Sequence, residues 1–573
     1  MRNYVTERII RRVNTNAISY SAVLLLAFYV SGCGGSSPFV PPAPLSNDDR
    51  HVSTSPESRN IPVIYDAIDK AAFQQIKESL DLSRQLRRLA GKPKQAYNIN
   101  AFGEVDNSSW FTNRNATSKL SIKQITRGPD TGDGPDVSGT WTIIRAKLEG
   151  VTPGFTIRDG RGETYLIKFD PKGYSELATG AEMISTKLFS AAGFNTPENY
   201  LTYFDPGILR LADNVKFTNE KGDRSFMAEA DLEMIFSKIN ILPDGRIRAL
   251  ASKYLPGKPI GPFTYQGFRD DDPNDFIPHQ HRRELRGLRV ICAWLKHTDT
   301  KDGNTLDSYV TENDRSYVRH YLIDFGSTLG SAAHGPFAPE AGHVYHFDPI
   351  DIITNTVTLG LAVKDWEKHT DFEYTAIGRY RSDTFEPYEF KNLIPNPAFE
   401  LITNLDGYWG AKIVMSFTDE QLAALIKEAE YSDPEAERYL LKILKERRDI
   451  IGRKWFSLVN PLDHFQLEKV TDGRMELRFT DLAIEGNLEA RNRTNYSYDL
   501  KGDGVKFGVS QDLRNSTSIV IPEELLSKKY NQIEITIRTE RNNSGKWSKW
   551  VKIYLQYDLI SSEYSLIGLR RQE

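Results

Sequence analysis

The sequence predicts an α+β protein in which a β-rich part, a mainly helical part and an all-β part follow one another. Three successive strand patterns, "TWTIIRAKLEG", "GFTIRD" and "ETYLIKFD", predict a sheet beginning near residue 140. Helical periodicity dominates residues 256–462, and alternation of apolar and polar residues returns in the last hundred or so positions. Because a chain of 573 residues is too long for one hydrophobic core, we expect two or three domains.

The N-terminus predicts export. Arginines precede the short apolar run "AVLLLAFYVSGC", which is typical of a secretory signal. Within it, "VSGC" resembles a bacterial lipobox, which implies that residues 1–33 are a lipoprotein signal and that Cys33 becomes acylated. Residues 34–60, rich in Gly, Pro and Ser, predict a flexible tether. Since Gly34 follows the cysteine, the resemblance implies lipid anchoring in the bacterial cell envelope, at the outer membrane. The alternative is an ordinary signal with an incidental cysteine.

Composition excludes several classes of function. A formal net charge of −4 provides no basic footprint, so we expect no nucleic-acid partner. No run of eighteen apolar residues occurs beyond the N-terminus, which predicts no membrane-spanning helix in the mature body. Cys292 lies at helical spacing with Leu288 and Leu295 and is expected to be a buried small hydrophobe. With Cys33 acylated, no intramolecular disulfide is possible.

Changes of pattern divide the rest of the chain. Residues 61–139 are expected to form a helical and irregular N-terminal extension. Strands and one helix, closed by Gly193, occupy residues 140–255, and helices occupy residues 256–462. Alternating patterns and the turn "NNSG" predict a small β-sandwich at residues 463–573.

A dense charged segment, "FRDDDPNDFIPHQHRRELRG", precedes the helix of residues 282–296. Two interpretations stand open for it: a solvated loop, or an element that recognises an acceptor or covers the site.

Five polar residues occur in an order that suits phosphoryl transfer from a nucleotide. Such chemistry needs a lysine for the phosphates, a carboxylate that orients it, a carboxylate for the acceptor hydroxyl, and oxygen ligands for magnesium. Lys168 lies on the third predicted strand and Glu182 on the following helix. Asp299 and Asn304 lie in "HTDTKDGN", and Asp324 follows a predicted strand in "LIDFG".

These motifs resemble those of the protein-kinase-like superfamily, closest to HipA-type kinases, CotH-type spore kinases and phosphatidylinositol 3/4-kinase-like proteins. "HTDTKDGN" is similar to H-R-D-x-x-x-x-N, with Thr298 in place of the arginine, and "LIDFG" is similar to the D-F-G motif. "AEMISTKLFSAAGFNTPE" has the form of the HipA-type helix, with Gly193 at its end. The resemblance covers about residues 140–460 and implies a bilobal fold, with a β-rich N-lobe and a helical C-lobe.

The resemblance also implies roles. Lys168 would anchor the phosphates of ATP or another nucleotide, Glu182 would hold Lys168, and Asp299 would act as the base. Asn304 and Asp324 would bind Mg²⁺. His297, which precedes Asp299 by two positions, is expected to support the loop through hydrogen bonds rather than to act as the base.

The nucleotide-binding residues are less conspicuous. No G-x-G-x-x-G loop exists, and Gly150 and Gly154 in "EGVTPGF" are the only glycines placed to cover the phosphates. Ser252 and Tyr254, where a later strand enters the connector between the lobes, are expected to contact the nucleotide. Since Thr298 replaces the usual arginine, control by a phosphorylated activation loop is not expected.

Several functions remain open from the sequence. The first is an envelope kinase that phosphorylates a hydroxyl-bearing protein, glycan or lipid. The others are a pseudokinase that only binds, a surface adhesion or scaffold lipoprotein, and a nucleotidyltransferase that uses the same residues. The C-terminal β domain is expected to bind an envelope partner.

Overall fold

The structure, a computed structural model, describes residues 38–60, 93–147, 154–218, 224–332, 334–348, 363–470 and 473–573, with a few single positions between them. Cys33, Gly150 and most of the helical segment expected after residue 60 lie outside the described residues. In these ranges, no helix is long and apolar enough to cross a bilayer. The architecture is a mixture of sheets and helices.

Residues 38–60 lie extended along the protein and make specific contacts. The ring of Phe39 stacks on Tyr554 with centroids 4.3 Å apart. Asp48 is buried and accepts a hydrogen bond from the backbone of Ser109 at 2.7 Å. Composition predicted a flexible tether here, but composition does not register that the few apolar and acidic residues of the segment find partners far along the chain.

The described residues of 122–253 form one large sheet, a short hairpin and three α-helices. The strands are β1 (Trp141–Lys147), β2 (Gly154–Arg158), β3 (Thr164–Lys168), β4 (Asn199–Phe204), β5 (Leu209–Leu211), β6 (Lys216–Thr218), β7 (Arg224–Phe226) and β8 (Ile247–Lys253). The helices are α1 (Ile122–Arg127), α2 (Leu177–Ala192) and α3 (Glu229–Ser237). β6 pairs with β7, and the other strands form a sheet in the order β4-β8-β3-β2-β1-β5.

Alternation gives this sheet two different faces. Ile157, Ile167 and Ala251 point into a hydrophobic core that Ile235 of α3 completes. Lys168 is the last residue of β3 and points to the other face, where the functional side chains lie.

Helix α2 is buried along nearly its whole length. Its first turn carries no side-chain cap of its own, and the buried Asp170 takes that place by accepting hydrogen bonds from the backbone of Ala178 and Thr179. Gly193, with a φ of +119°, ends the helix as the sequence predicts.

Residues 93–131 pack against α2 and the helical part. Phe111 contacts the rings of Phe194 and Trp409, with centroids 5.5 and 5.2 Å apart. Lys187 of α2 forms a buried ion pair with Asp130 at 2.9 Å. This stretch of the expected extension therefore contributes to the core around α2.

The described residues of 254–460 are mainly helical, with one three-stranded and one two-stranded sheet. The strands are β9 (Lys258–Pro259), β10 (Thr305–Glu312), β11 (Arg315–Leu322), β12 (Ser331–Ala332) and β13 (Gly335–Pro336). The helices are α4 (Arg283–Leu295), α5 (Pro397–Glu400), α6 (Asn404–Met415), α7 (Asp419–Lys427) and α8 (Pro434–Leu458). α4 and α6 cross closely because Gly410 lies where a side chain would meet the carbonyl oxygen of Gly287 at 2.6 Å. Cys292 is buried in this core, as predicted.

Much of the charged segment of residues 268–287 is buried, which is not expected of a solvated loop, and a role in recognising an acceptor stays a prediction. Arg269 is buried and lies 3.3 Å from the buried Asp307, and His279 lies 2.7 Å from Asp275. Arg283 reaches Asp406 on α6 at 3.0 Å. Because the opposite charges pair with one another, a segment that looks hydrophilic in sequence is buried.

The C-terminal part contains two sheets around a third hydrophobic core. The strands are β14 (Leu462–Lys469), β15 (Met475–Asp481), β16 (Thr494–Gly502), β17 (Val505–Arg514), β18 (Ser518–Ile521), β19 (Gln532–Arg541), β20 (Val551–Asp558) and β21 (Glu563–Arg571), with helices α9 (Leu482–Glu485) and α10 (Glu523–Ser527). The sheets have the orders β14-β15-β18 and β17-β16-β19-β20-β21. Asp463 binds Lys412 of α6 at 2.7 Å, which ties this part to the helices.

Candidate active site

Lys168 lies between two carboxylates from different elements. Its ammonium nitrogen is 2.6 Å from Oε1 of Glu182 on α2 and 3.0 Å from Oδ1 of Asp324, which follows β11. Glu182 is almost fully buried, whereas the side chain of Asp324 is 53% exposed. The structure thus brings together three of the residues that the sequence singled out.

The electrostatics of this cluster favour its charged form. Burial opposes the charge of Lys168, but the carboxylates of Asp324 and Glu182 outweigh burial and raise the pKa of the lysine. The Lys168 ammonium in turn lowers the pKa of Asp324. Burial raises the pKa of Glu182, and Lys168 opposes that shift. Lys168 therefore stays charged, as a group that binds phosphate must.

The loop that carries Asp324 is held in one conformation. Asp324 itself adopts a left-handed φ of +66°, and the next residue, Phe325, is fully buried. The Phe325 ring stacks on Phe189 of α2 with centroids 4.8 Å apart. The backbone N–H of Ile323 donates to the carbonyl oxygen of Asn304 at 3.1 Å. That bond places Asp324 beside the loop that contains Asn304.

His297 supports this loop from behind. Its Nδ1 lies 3.1 Å from the carbonyl oxygen of Ser327, and its ring packs against Phe189 and Phe325. Burial lowers the pKa of His297 and favours the neutral ring. These contacts are those of a supporting residue, in agreement with the sequence interpretation.

Asp299 is held from two sides. The Asn304 side-chain amide donates to the Asp299 backbone oxygen at 2.8 Å and to its Oδ2 at 3.1 Å. The ammonium of Lys301 lies 2.9 Å from Oδ1 of Asp299. Sequence reasoning missed Lys301, although a lysine two positions after the candidate base was visible in "DTKDGN".

Two residues that the sequence predicts to contact the nucleotide, Gly154 and Ser252, lie on the sheet face of Lys168. Gly154 pairs directly with Lys168, and a side chain at Gly154 would meet the carbonyl oxygen of Ile167 at 2.7 Å, so this position needs glycine. Ser252 pairs with Leu166, two positions before Lys168 on the same strand, which places it on that face.

Tyr254 follows β8 and extends this surface. Its hydroxyl lies 3.2 Å from the hydroxyl of Thr156 on β2, and its backbone N–H donates to Thr164. Thr156 could not be predicted as part of this surface, because one threonine in a strand carries no signal. The side chains of Tyr254 and Leu166 are partly exposed and available to a planar ligand.

Asp170 and Arg248 position the cluster and were also missed. Besides capping α2, Asp170 accepts from the hydroxyl of Thr179 at 2.8 Å. Arg248 on β8 donates to that hydroxyl at 3.1 Å and to the carbonyl oxygen of Ala429 at 2.6 Å. These contacts connect the sheet, the helix that carries Glu182, and the end of α7. The one sequence feature that points to Asp170 is its position in "KFD", two residues after Lys168.

The residues present suit a hard divalent cation. One carboxylate oxygen of Asp324 binds Lys168, and more than half of this side chain faces solvent, so an oxygen is available. The Asn304 amide nitrogen donates to Asp299, which leaves its oxygen as the atom that a cation would contact. The described residues contain no group of three or more His, Cys, Asp or Glu side chains that could hold a metal. A two-ligand site of this kind suits Mg²⁺, which usually takes its other ligands from phosphates and water.

No protein-family model matches the chain, and no curated protein is similar to it. Solved structures with limited similarity include a Helicobacter pylori proinflammatory kinase, CtkA, at 12% identity and a TM-score of 0.29 over 54% of this chain and 93% of that chain. A Golgi casein kinase aligns at 11% identity and a TM-score of 0.27 over 72% and 92% of the two chains. An alpha kinase from Entamoeba histolytica aligns at 15% identity and a TM-score of 0.15 over 39% and 77%. These neighbours are kinases, and because their TM-scores are low, the functional assignment depends on the site geometry.

Proposed function

We propose that this protein is a kinase-like phosphotransferase that moves the terminal phosphoryl group of a nucleotide to a hydroxyl group. The observation that carries the proposal is the contact of one lysine, Lys168, with both Glu182 and Asp324. A lysine held in this way presents a fixed positive charge on a sheet face next to the loop of Asp299. Positioning and charge neutralisation of this kind are what phosphoryl transfer needs from a protein.

Each residue has a definite part in the proposed reaction. Lys168 binds the phosphates, and Glu182 keeps it in place. The acceptor oxygen forms a bond to the terminal phosphorus, the bond from that phosphorus to its bridging oxygen breaks, and the hydroxyl proton passes to Asp299. Lys301 lies beside Asp299 and would stabilise the charge of the phosphoryl group. Asn304 and Asp324 would hold Mg²⁺, which neutralises phosphate charge when bound.

The wider organisation is proposed from the sequence patterns and the contacts together. Residues 140–255 would form the N-lobe and residues 256–462 the C-lobe of a bilobal kinase-like fold, with the cleft at Lys168. Residues 463–573 would form an accessory β-sandwich that binds an envelope partner. The lipobox-like motif at Cys33 supports anchoring in the bacterial envelope, at the outer membrane. In that compartment the donor is ATP or another nucleotide supplied from outside the cytoplasm.

Incubation with γ-labelled and α-labelled ATP in parallel tests the reaction type. The protein beginning at Pro38 and an Asp299→Asn variant are incubated with Mg²⁺ and each label. Transfer of the γ label by the wild type but not by Asp299→Asn supports a kinase. Transfer of the α label would instead establish nucleotidyl transfer. Nucleotide binding without transfer of either label would establish a pseudokinase.

A further inference from the structure

A second polar site lies directly behind the loop of Asp299. Its lining includes Lys296, Arg379, Arg381, Arg447, His343 and His369, and we call it the basic cavity. About 40 Å³ of it is accessible to water, and the cavity is continuous with solvent. None of these residues takes part in the proposed transfer reaction.

Lys296 is the central residue of the basic cavity. It follows the last residue of α4 with a left-handed φ of +52° and immediately precedes His297. Its ammonium donates to the carbonyl oxygen of Arg379 at 3.1 Å and lies 5.5 Å from the centre of the Phe337 ring. A lysine ammonium can donate three hydrogen bonds, so this one has capacity for a further acceptor.

Arg447 and Arg379 add permanent charge nearby. Arg447 is buried, and it donates to the carbonyl oxygens of Trp294 at 2.8 Å and Ala293 at 2.5 Å, at the end of α4. Arg379 donates to the carbonyl oxygen of Thr370 at 2.6 Å. Both guanidinium groups therefore contact neutral carbonyls and aromatic rings, which stabilise the charge but do not neutralise it.

Glu386 lines the basic cavity, and Glu340 lies close enough to favour the charged form of Lys296. Glu386 pairs with Lys454 at 3.2 Å. Arg381 alone has acidic partners, since it pairs with Asp383 at 2.6 Å and with Asp371 at 3.5 Å.

Within the part of the chain that the structure describes, no carboxylate lies within ion-pair distance of Lys296, Arg379 or Arg447. Burial, together with Arg447 and Arg379, lowers the pKa of Lys296 to about 7, while Glu340 opposes that shift. Burial, Lys296 and Arg447 likewise lower the pKa of His343 to about 4. An uncompensated buried charge is costly, and a bound anion would offset that cost.

We propose that the basic cavity binds a phosphate dianion, either inorganic phosphate or a phosphate monoester, through the Lys296 ammonium and the guanidinium group of Arg379. A tetrahedral oxyanion matches the site because several separate donors surround one space and the charge is concentrated in one place. The anion would connect Lys296, which lies just before the Asp299 loop, to the segment around Arg379. This site is separate from the nucleotide site and does not depend on the proposed transfer reaction.

Binding of inorganic phosphate measured by calorimetry at constant ionic strength, without Mg²⁺, tests the proposal. Lys296→Met should weaken phosphate binding about tenfold or more, the loss expected for a charge-assisted hydrogen bond. Lys168→Met should weaken phosphate binding far less than Lys296→Met does, which distinguishes the basic cavity from the nucleotide site. Arg438→Met is the matched control, because Arg438 lies on α8 like Arg447 but is exposed and paired with Glu435. Equal phosphate affinity in Lys296→Met and the wild type would overturn the proposal.

A second measurement uses the unmodified protein and therefore does not depend on the folding of a variant. A lysine that is partly neutral at pH 7.5 reacts readily with an acylating reagent, and mass spectrometry reports the rate at Lys296. Saturating phosphate or O-phosphoserine should slow acylation of Lys296 at least fivefold, while chloride at equal ionic strength should not. An unchanged rate would overturn the proposal. Acylation of Lys296 in the protein as purified can also be compared before and after phosphatase treatment. If acylation is slow before the treatment and faster after it, and the intact mass also falls, the bound group is a phosphorylated side chain of the protein itself.

Discussion

The ammonium of Lys168 lies 3.0 Å from Oδ1 of Asp324, although the two residues are 156 positions apart in the chain. Lys168 is the last residue of β3, a strand inside the large sheet, and Asp324 begins a loop that β10, β11 and Phe325 hold in place. Their contact joins the sheet to the loop region that also contains Asn304 and Asp299. The candidate site therefore depends on the packing of two regions and not on any single motif.

Lys168→Met should abolish productive nucleotide binding. The change removes the charge that faces the phosphates, so we expect turnover to fall by about 100-fold or more. Lys253→Met is a matched control, because Lys253 lies on the adjacent strand β8 and its ammonium pairs with Glu163 at 2.6 Å. Nucleotide affinity and turnover measured for both variants check the prediction. Equal losses in the two variants would indicate general damage to the sheet.

Asp324→Ala and Asp299→Ala should differ in their effects on the Mg²⁺-dependent rise of the melting temperature. If Asp324 holds the metal, ATP should raise the melting temperature of the wild type far more with Mg²⁺ than without it, and Asp324→Ala should remove that difference. Asp299→Ala should retain it, because in the proposed reaction Asp299 contacts the acceptor and not the nucleotide. Turnover of Asp299→Ala should still fall by orders of magnitude. A Mg²⁺-dependent shift that persists in Asp324→Ala would argue against the metal assignment.

Local patterns predicted the elements of the site well. The alternation in "YLIKFD" predicts that Lys168 and Ile167 face opposite sides of a strand, and the structure places Ile167 in the core and Lys168 beside Glu182. Gly193 ends α2 as expected. These features depend on the backbone within a few residues, which is the range that sequence periodicity reports.

Long-range partners could not be predicted in the same way. Arg283 pairs with Asp406, which is 123 positions away, and the burial of this charged segment follows from such pairs. Asp48 and Ser109 are likewise brought together only by the fold. A charged or Pro-rich stretch has the same composition whether or not its partners exist. The sequence alone therefore predicts solvent exposure where the structure shows buried contacts.

Arg248→Met should loosen the helix that carries Glu182. The variant loses hydrogen bonds to Thr179 and Ala429 in a buried place, so we expect the free energy of unfolding to fall by about 3 kcal/mol. At a temperature where the variant is folded, its KM for the nucleotide should also rise, because Glu182 no longer fixes Lys168. Arg246→Met is the control, since Arg246 is about half exposed and pairs with Asp244, and it should change stability by less than about 0.5 kcal/mol. An unchanged KM in Arg248→Met would limit Arg248 to a structural role.

Cys33→Ser should release the protein from membranes and remove metabolic labelling by a fatty acid. Cys292→Ser is the control, because Cys292 is buried and burial raises the pKa of its thiol to about 12. Phe39, which stacks on Tyr554, follows Cys33 closely in the chain. At about 3.4 Å per residue, an acylated Cys33 would keep the C-terminal sheets within about 20 Å of the bilayer. Persistent membrane fractionation and labelling of Cys33→Ser would rule out the lipid anchor.

Lys296 should make both stability and phosphate binding depend on pH. Its folded-state pKa of about 7 lies below the value of about 10.4 for an unfolded lysine. Between these values the unfolded chain carries a proton that the folded protein lacks, so the contribution of Lys296 to the free energy of unfolding rises with pH across this range. Chemical denaturation at pH 7, 8 and 9 should show this rise in the wild type and a smaller one in Lys296→Met.

Bound phosphate should restore the proton that Lys296 of the folded protein loses above about pH 7. Arg379, Arg381 and Arg447 also line the cavity, and arginine stays protonated at these pH values. Glu386 and His369 are part of the same lining, and Glu340 favours the charged form of Lys296. His343, whose pKa is about 4, is neutral. Bound phosphate would favour the charged lysine, so binding at pH 8 should take up close to one proton per phosphate. The binding enthalpy measured in buffers of different ionisation enthalpy reports that number. Phosphate binding without proton uptake in the wild type would show that Lys296 does not contact the anion.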